Sequence, residues 1–396
     1  MPQVVGQWEQ ITGNRLIAQQ RSYDPQAESE MAEEYLAKLN AGQREAYDQI
    51  LASVINKEGR LFFVNGPGGC GKSFLWNTLG HTVRGQQLIV LCIASSGIAA
   101  LILIGGQTTH SALGVPIDIH GDSFCNIKKG SMKAELLRHV SLIIWDELPM
   151  QHHHVAEAVD RTLRDILDEP DRPFGGITVA WGGDFQQTLP VVVKGTKEDI
   201  VSACVQRSPL WQHVTILCLT ENMHVDQSNA DSMEFSEWLL DVGHGRNLPL
   251  DHSFTIPPHM KLEPATLPAL ICEVYPNIGH GDSLPDSHYL ERCILCPRNA
   301  EVDEVNALII QDFPGDVTAF HSVDSASSAN EDLEDYPVEY LNSLDMSGMP
   351  PSHLHLKIGV PLLLLRNLDQ AQGLCNGTRL RLLKIFNRVL QVSKCP

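Results

Sequence analysis

The residues best suited to do chemistry lie in the octet Gly66-Pro67-Gly68-Gly69-Cys70-Gly71-Lys72-Ser73, which fits the pattern G-x-x-x-x-G-K-[ST]. Glycines let the backbone curl until successive N–H groups point at phosphate oxygens, and a helix starting at Lys72 would add its positive end. Lys72 is placed to reach the outer phosphates, and the Ser73 hydroxyl to ligate magnesium. Cys70 serves as a small spacer within this nucleotide-binding set. Such a loop needs an acidic partner, and "VSLIIWDELPM" supplies one: Asp146, at the end of an apolar run, would hold Mg2+, and Glu147 would act as base on an attacking water. An adjacent Asp-Glu pair after a buried strand points to hydrolysis rather than transfer to a bound acceptor. In "TVAWGGDFQQTLPVV" a strand runs into a polar turn, where Gln187, or alternatively Gln186, could touch both the terminal phosphate and the water.

These residues need strands that end side by side. Apolar runs predict strands at Leu61–Asn65, Leu88–Ala94, Val140–Trp145, Ile177–Trp181 and Val214–Leu219. Between the third and fourth, Val155, Val159, Leu163 and Ile166 recur at helical spacing. Strands alternating with helices predict an α/β fold, a parallel sheet with helices on both faces. Residues 1–38 read as a polar extension with a helix through "AESEMAEEYLAKL", and "FSEWLLDVGHG" as a helix ended by glycines. The stretch from Asn299 to Leu356 contains no Lys or Arg and many Asp and Glu, which reads as a solvated insertion. Basic residues return at Arg366, Arg379, Arg381, Lys384 and Arg388.

With 396 residues, 43% apolar and 19% charged, the chain is expected to form two soluble globular domains. Its formal charge of −19 argues against a partner held by overall basicity, though a local groove can still grip a phosphate backbone. Ten scattered cysteines and a start without signal-peptide character predict a reducing, intracellular compartment. The uncharged window Leu88–Gly106 is about long enough to span a bilayer, but its Ser95-Ser96-Gly97 break favours a buried strand, a turn and a helix. His152, His153 and His154 could suggest a metal. Consecutive helical residues point in different directions, which argues against a shared ion. Cys293 and Cys296 form a single C-x-x-C without a second pair and read as structural thiols. The carboxylates between Glu331 and Glu339 read as a charged surface loop.

Taken in order, "LNAGQREAY", "GPGGCGKS", "ASSGIAALILIGGQTTHSALGVPI", "IIWDELPM", "DRTLRDI", "FGGITVAWGGDFQQTLPVV", "LTENMH", "FSEWLLDVGHG", "CPRNAEVDEVN" and "LLLLRNLDQAQGLCNGTRL" resemble the PIF-type DNA helicases of superfamily one, which include the helicase part of Helitron transposons. The resemblance runs from about Leu39 to Val392. It implies a P-loop NTPase with a RecA-like ATP-binding domain at 39–218 and an incomplete second RecA-like domain at 219–396. It also implies ATP-driven, 5'-to-3' unwinding of DNA in repair, recombination or genome maintenance, in the nucleus or mitochondrion. By matching position, Gln43 would read adenine. Ser95, Ser96 and Gly97, with Thr108, His110 and Ser111, would touch the backbone of single-stranded DNA at duplex junctions without reading sequence.

Two departures from the family pattern bear on activity. Where "NMR" would place an arginine on the terminal phosphate, this sequence has "NMH", ending in His224, which has no fork of donors. The family's closing "KSQGQT"-like and "VALSR"-like motifs do not occur before Pro396, as a truncated gene model would produce. The sequence therefore predicts binding of MgATP with poor hydrolysis. Two other classes compete with a helicase: a regulatory single-strand-binding relic, and a signalling ATPase switch.

Overall fold

In the computed structural model, the described residues are 13–223, 225, 230–246, 253–279, 284–323, 352–365, 368, 373–374, 377–387 and 389–394. The chain divides into two compact units, residues 1–253 and 254–396.

The first unit begins with α1 (Arg15–Gln20), α2 (Pro25–Leu36) and α3 (Ala41–Ile55), followed by β1 (Leu61–Asn65) and α4 (Lys72–Gly85). Then come β2 (Ile89–Ala94), α5 (Gly97–Ile102), β3 (Gln107–Thr108), α6 (Thr109–Leu113), α7 (Met132–Leu137) and β4 (Val140–Asp146). The unit continues through α8 (His153–Leu167), β5 (Thr178–Gly183), α9 (Lys197–Ala203), β6 (Val214–Cys218) and α10 (Ala230–His244). Its six strands form one sheet in the order β3-β2-β4-β5-β1-β6, and every pairing is parallel. All five strands expected from the apolar runs form, with ends shifted by two residues at most; only the two-residue β3 has no apolar run to announce it.

Alternation along the strands fills two cores. Leu61 and Phe63 of β1 face one cluster with Trp145, Trp181 and the α8 residues Val155, Val159, Leu163 and Ile166. Phe62 and Val64 face the other, with Ile50 of α3 and Leu75, Trp76 and Leu79 of α4. Helices therefore cover both faces, and β4, paired on both sides, is buried along nearly its whole length. That burial explains the near-continuous apolar run that ends at Asp146. Helix α2, from the polar extension, docks on α4 through Glu28, whose carboxylate is 2.7 Å from His81 Nδ1. The uncharged window at 88–106 resolves into β2, a Ser-Ser turn and the six-residue α5. Among the described residues no helix is long and apolar enough to cross a membrane.

The second unit contains α11 (Leu267–Val274), α12 (Asp286–Leu290) and α13 (Asn299–Asp312). Strands β7 (Thr318–His321) and β8 (His353–Leu356) pair antiparallel, as do β9 (Pro361–Leu363), β10 (Arg379–Ile385) and β11 (Leu390–Lys394) in the order β11-β10-β9. Tyr289, Phe313, Leu356, Val360 and Leu382 form its core. Cys293 and Cys296 are free thiols at its surface. His224, Arg366, Arg388 and the carboxylates from Glu331 to Glu339 lie outside the described residues.

Candidate nucleotide and DNA site

The candidate residues gather where the parallel strands end. Asn65 of β1 pairs with Gly183 of β5 and Cys218 of β6, so the phosphate loop leaves the sheet between two strands. Gly69 and Gly71 have φ of 84° and 75°, a left-handed backbone that glycine adopts without strain. Gly71 caps α4, and a Cβ there would run into the Gln43 amide. Lys72 is buried and its ammonium donates to the carbonyls of Gly66 and Pro67, which aims the charge across the loop. The Cys70 thiol is buried 3.9 Å from Lys72 Nζ, and burial pushes its pKa up, as expected of an inert spacer.

Asp146 stands at the buried end of β4. Its Oδ1 has no hydrogen-bond partner among the described residues, and burial raises its pKa against the pull of the nearby Trp76 indole N–H and of Lys72. A dry, unpartnered carboxylate oxygen with a serine hydroxyl in the same cleft suits a hard divalent cation such as Mg2+, which takes oxygen donors. Glu147 follows in a left-handed conformation, φ 54° and ψ 35°, which turns the chain sharply away from the strand. Ser95 Oγ donates to its carbonyl at 2.6 Å and Ser95 N–H to that of Asp146 at 3.2 Å. Burial first, then the charges of Asp146 and Asp184, raise the Glu147 carboxyl above its ordinary pKa.

One cleft of about 390 Å³ is lined by the loop from Gly68 to Ser73 and by Asp146, Glu147 and Gln187. Of the two glutamines, Gln187 borders this cleft. Gln186 instead bonds His244 of α10 at 3.0 Å and lines a separate cavity of about 500 Å³. Asp184, buried at the end of β5, accepts the Gln186 N–H at 2.9 Å and lies 3.5 Å from Gln187 Nε2. Asp184 was not among the residues expected at the site; its place between a strand end and the two glutamines was the available signal.

Gln43 is 1% exposed and bonded at both ends. Its Oε1 accepts the Asn40 N–H in a capping box at the start of α3, and its Nε2 donates to Cys70 O at 3.1 Å. It therefore braces the phosphate loop. Met223, next to His224 in the chain, donates its N–H to Gly69 O at 2.8 Å and so ties the "TENM" segment to the same loop.

The residues expected at DNA fall on neighbouring strand ends, because β3 pairs with β2 and places Thr108 beside Ala94. Ser96 caps α5 by accepting the Ala99 N–H, and Thr108 caps α6 by accepting the Ser111 N–H. His110 and Ser111 are exposed, and Ser111 O accepts from Lys133 Nζ at 2.9 Å, which brings a cation that the sequence reading had not connected with this edge. Thr109, buried beneath them, anchors the turn by donating to Ala94 O.

Helical geometry does not hold the side chains of His152, His153 and His154 apart. His152 is the N-cap, with extended φ −61° and ψ 136°, so the three side chains do not all follow helical geometry, and one nitrogen from each lies within 4.8 Å of the others.

A sequence profile of PIF1-like helicases matches residues 38–252, more than half of the chain. The chain belongs to the PIF1-like helicase family. A second profile, the 2B domain of the DNA helicase Pif1, matches residues 339–385. The Pif1 ATP-dependent DNA helicase of Psychrobacter sp. is 25% identical over 83% of this chain and 45% of its own length. For yeast RRM3, another ATP-dependent DNA helicase, the identity is 27% over 84% of this chain and 41% of its own. PIF4 of Trypanosoma brucei is 34% identical over 41% of this chain and 19% of its own. The chain thus spans less than half the length of these PIF1-like relatives. A structure of two coordinating Pif1 helicases at forked dsDNA shares the fold with TM-score 0.61 at 22% identity, covering 90% of this chain and 74% of that one. Bacteroides Pif1 bound to ssDNA gives 0.58 at 22% identity, covering 87% and 71%.

Proposed function

We propose that this PIF1-like chain binds ATP in the 390 Å³ cleft and couples its hydrolysis to 5'-to-3' movement along single-stranded DNA and to duplex unwinding at junctions. The observation that carries this reading is the convergence of Lys72, Asp146, Glu147 and Gln187 on one cleft. Loop amides and Lys72 hold the outer phosphates, while Ser73 and Asp146 are the residues to hold Mg2+, which would neutralise charge between the β- and γ-phosphates. Glu147 takes a proton from water as the water oxygen bonds the γ-phosphorus and the bond to the β–γ bridging oxygen breaks. Gln187, held near Asp184, touches the terminal phosphate and the water. Gln43 acts on the nucleotide through the loop it braces, and its remaining amide hydrogen and lone pair are what an adenine contact would use. Ser95, Ser96, Gly97, Thr108, His110 and Ser111 line the DNA path, and Ser95 links that path to Glu147 through one hydrogen bond.

In this reading residues 39–218 are the ATP-binding RecA-like domain, preceded by an extension; residues 219–396 begin with α10, which belongs to the first compact unit, and continue into part of a second helicase domain. The chain works on nuclear or mitochondrial DNA in repair, recombination or genome maintenance, the processes that the sequence resemblance implies. The test is ATP turnover of the purified chain with and without single-stranded DNA, alongside Lys72→Ala and Glu147→Gln. DNA stimulation in the parent, loss of MgATP binding in K72A, and retained binding with lost turnover in E147Q are expected. Turnover indifferent to DNA would sink the motor reading.

A second reading rests on His224. Without an arginine fork at the terminal phosphate, hydrolysis is slow and the chain acts mainly as an ATP-gated single-strand binder. Strong DNA binding that changes with ATP while turnover stays near background would favour it.

A further inference from the structure

We propose that His152, His153 and His154 form a binding site for one divalent transition-metal ion of the imidazole-preferring kind, such as Zn2+, separate from the ATP cleft. Their ring centroids are 4.6, 4.3 and 4.2 Å apart, and one nitrogen from each lies within 4.8 Å of the others. A tetrahedral ion with bonds of 2.0–2.1 Å would hold its ligand atoms about 3.4 Å apart. Closing that difference requires the rings to rotate about their side-chain bonds.

What separates this cluster from a chance run of histidines is Glu157, one turn further along α8. Its Oε1 lies 2.8 Å from His153 Nδ1 and its Oε2 3.2 Å from His154 Nδ1. A carboxylate facing both Nδ1 atoms keeps the proton there, which leaves each Nε2 with a free lone pair, the carboxylate–histidine arrangement that orients metal ligands. Glu157 is itself held by Ser208 Oγ at 2.8 Å, so its position is set from a second segment of the chain. The side chains of His153, His154 and Glu157 are 15%, 27% and 13% exposed, dry enough to strengthen a metal bond and open enough to admit an ion.

His152 plays a different part. Its Nδ1 accepts the His154 N–H as the helix cap, and it joins the ion by giving up that bond. His153 and His154 are therefore the stronger ligands. Imidazole nitrogens select Zn2+, Ni2+ or Co2+ over Mg2+. The site does not depend on the ATP cleft having the proposed activity.

The experiment uses the full chain without an affinity tag, stripped with chelator, and titrated with Zn2+ by calorimetry and with Co2+ by visible absorption. One equivalent should bind with micromolar affinity or better, survive excess MgCl2, and give a cobalt spectrum without the intense near-ultraviolet band of thiolate ligation. His153→Gln and His154→Gln should each weaken binding by about tenfold or more, and Glu157→Gln by about tenfold through the lost orientation. His152→Asn preserves a good helix cap and should lose less. Circular dichroism and MgATP binding show whether each variant is folded. Failure of the folded parent to bind Zn2+ or Co2+ at a metal concentration of about 100 μM, or a thiolate band, overturns the proposal. So does binding that persists in a folded H153Q/H154Q double variant.

Discussion

Gly182→Ala tests whether the packing beneath Asp146 sets the metal-binding geometry. Gly182 lies buried in β5, beside Val64 of β1. An added Cβ would stand 2.6 Å from Trp76 Cζ2 and 2.8 Å from Asp146 Oδ1. Ordinary carbon contacts are about 3.5–4.0 Å, so Trp76 and the carboxylate must move apart by about 1 Å. Trp76, on α4, is fully buried in the core cluster that the helix forms with the sheet. Overpacking of this kind costs about 1–3 kcal/mol. At about 2–4 °C per kcal/mol for a unit of this size, Tm should fall by about 2–12 °C. The displaced carboxylate is the proposed Mg2+ ligand, and a misplacement of about 1 Å can lower turnover by about 100-fold. The assays are thermal melting and ATP turnover as a function of Mg2+ concentration, with Gly130→Ala as control, since a Cβ there meets nothing within 4 Å. If G182A melts with the parent and keeps its Mg2+ dependence, the packing argument is wrong.

Glu28→Ala should destabilise the first unit by about 1–3 kcal/mol, because it leaves both ring nitrogens of buried His81 without partners; chemical denaturation of the parent and variant measures this. If Glu147 is the proposed base, its raised pKa places the acid limb of turnover above the ordinary carboxylate range: activity falls as pH drops through that raised value, because the carboxylate is then protonated. By the same linkage the ionised carboxyl costs the fold stability above its unfolded pKa. Glu147→Gln should therefore melt higher than the parent near pH 7, with the difference closing below pH 4, as melting curves across that range would show. His224→Arg should raise DNA-stimulated turnover by about tenfold or more if the missing fork limits hydrolysis; an unchanged rate at saturating ATP places the limit elsewhere.

Local chemistry made much of the fold and site legible. The phosphate loop could be read because its chemistry lies in consecutive residues, and β1 because an apolar run stops at a glycine-rich turn. Asp146 and Glu147 were legible as the first polar residues after a strand buried on both faces. Strand β3 was not, since two residues without an apolar run become a strand only by pairing with β2. The approach of the three imidazoles was not legible, because a helical direction was assigned to His152, whose capping conformation is extended. Asp184 and Lys133 were passed over because neither stands in a pattern of its own.

The sequence by itself determined the loop, five of the six parallel strands in their chain order, and the family, because these depend on residue types at short, fixed spacings. Tertiary structure decided which groups meet. It put Gln187 in the cleft and turned Gln186 toward His244. It bonded Gln43 to the carbonyl of Cys70, and it aimed the Glu157 carboxylate at two imidazoles. Spacing along the chain says which side chains are available, but only the packed sheet and its turns set the direction in which each one points.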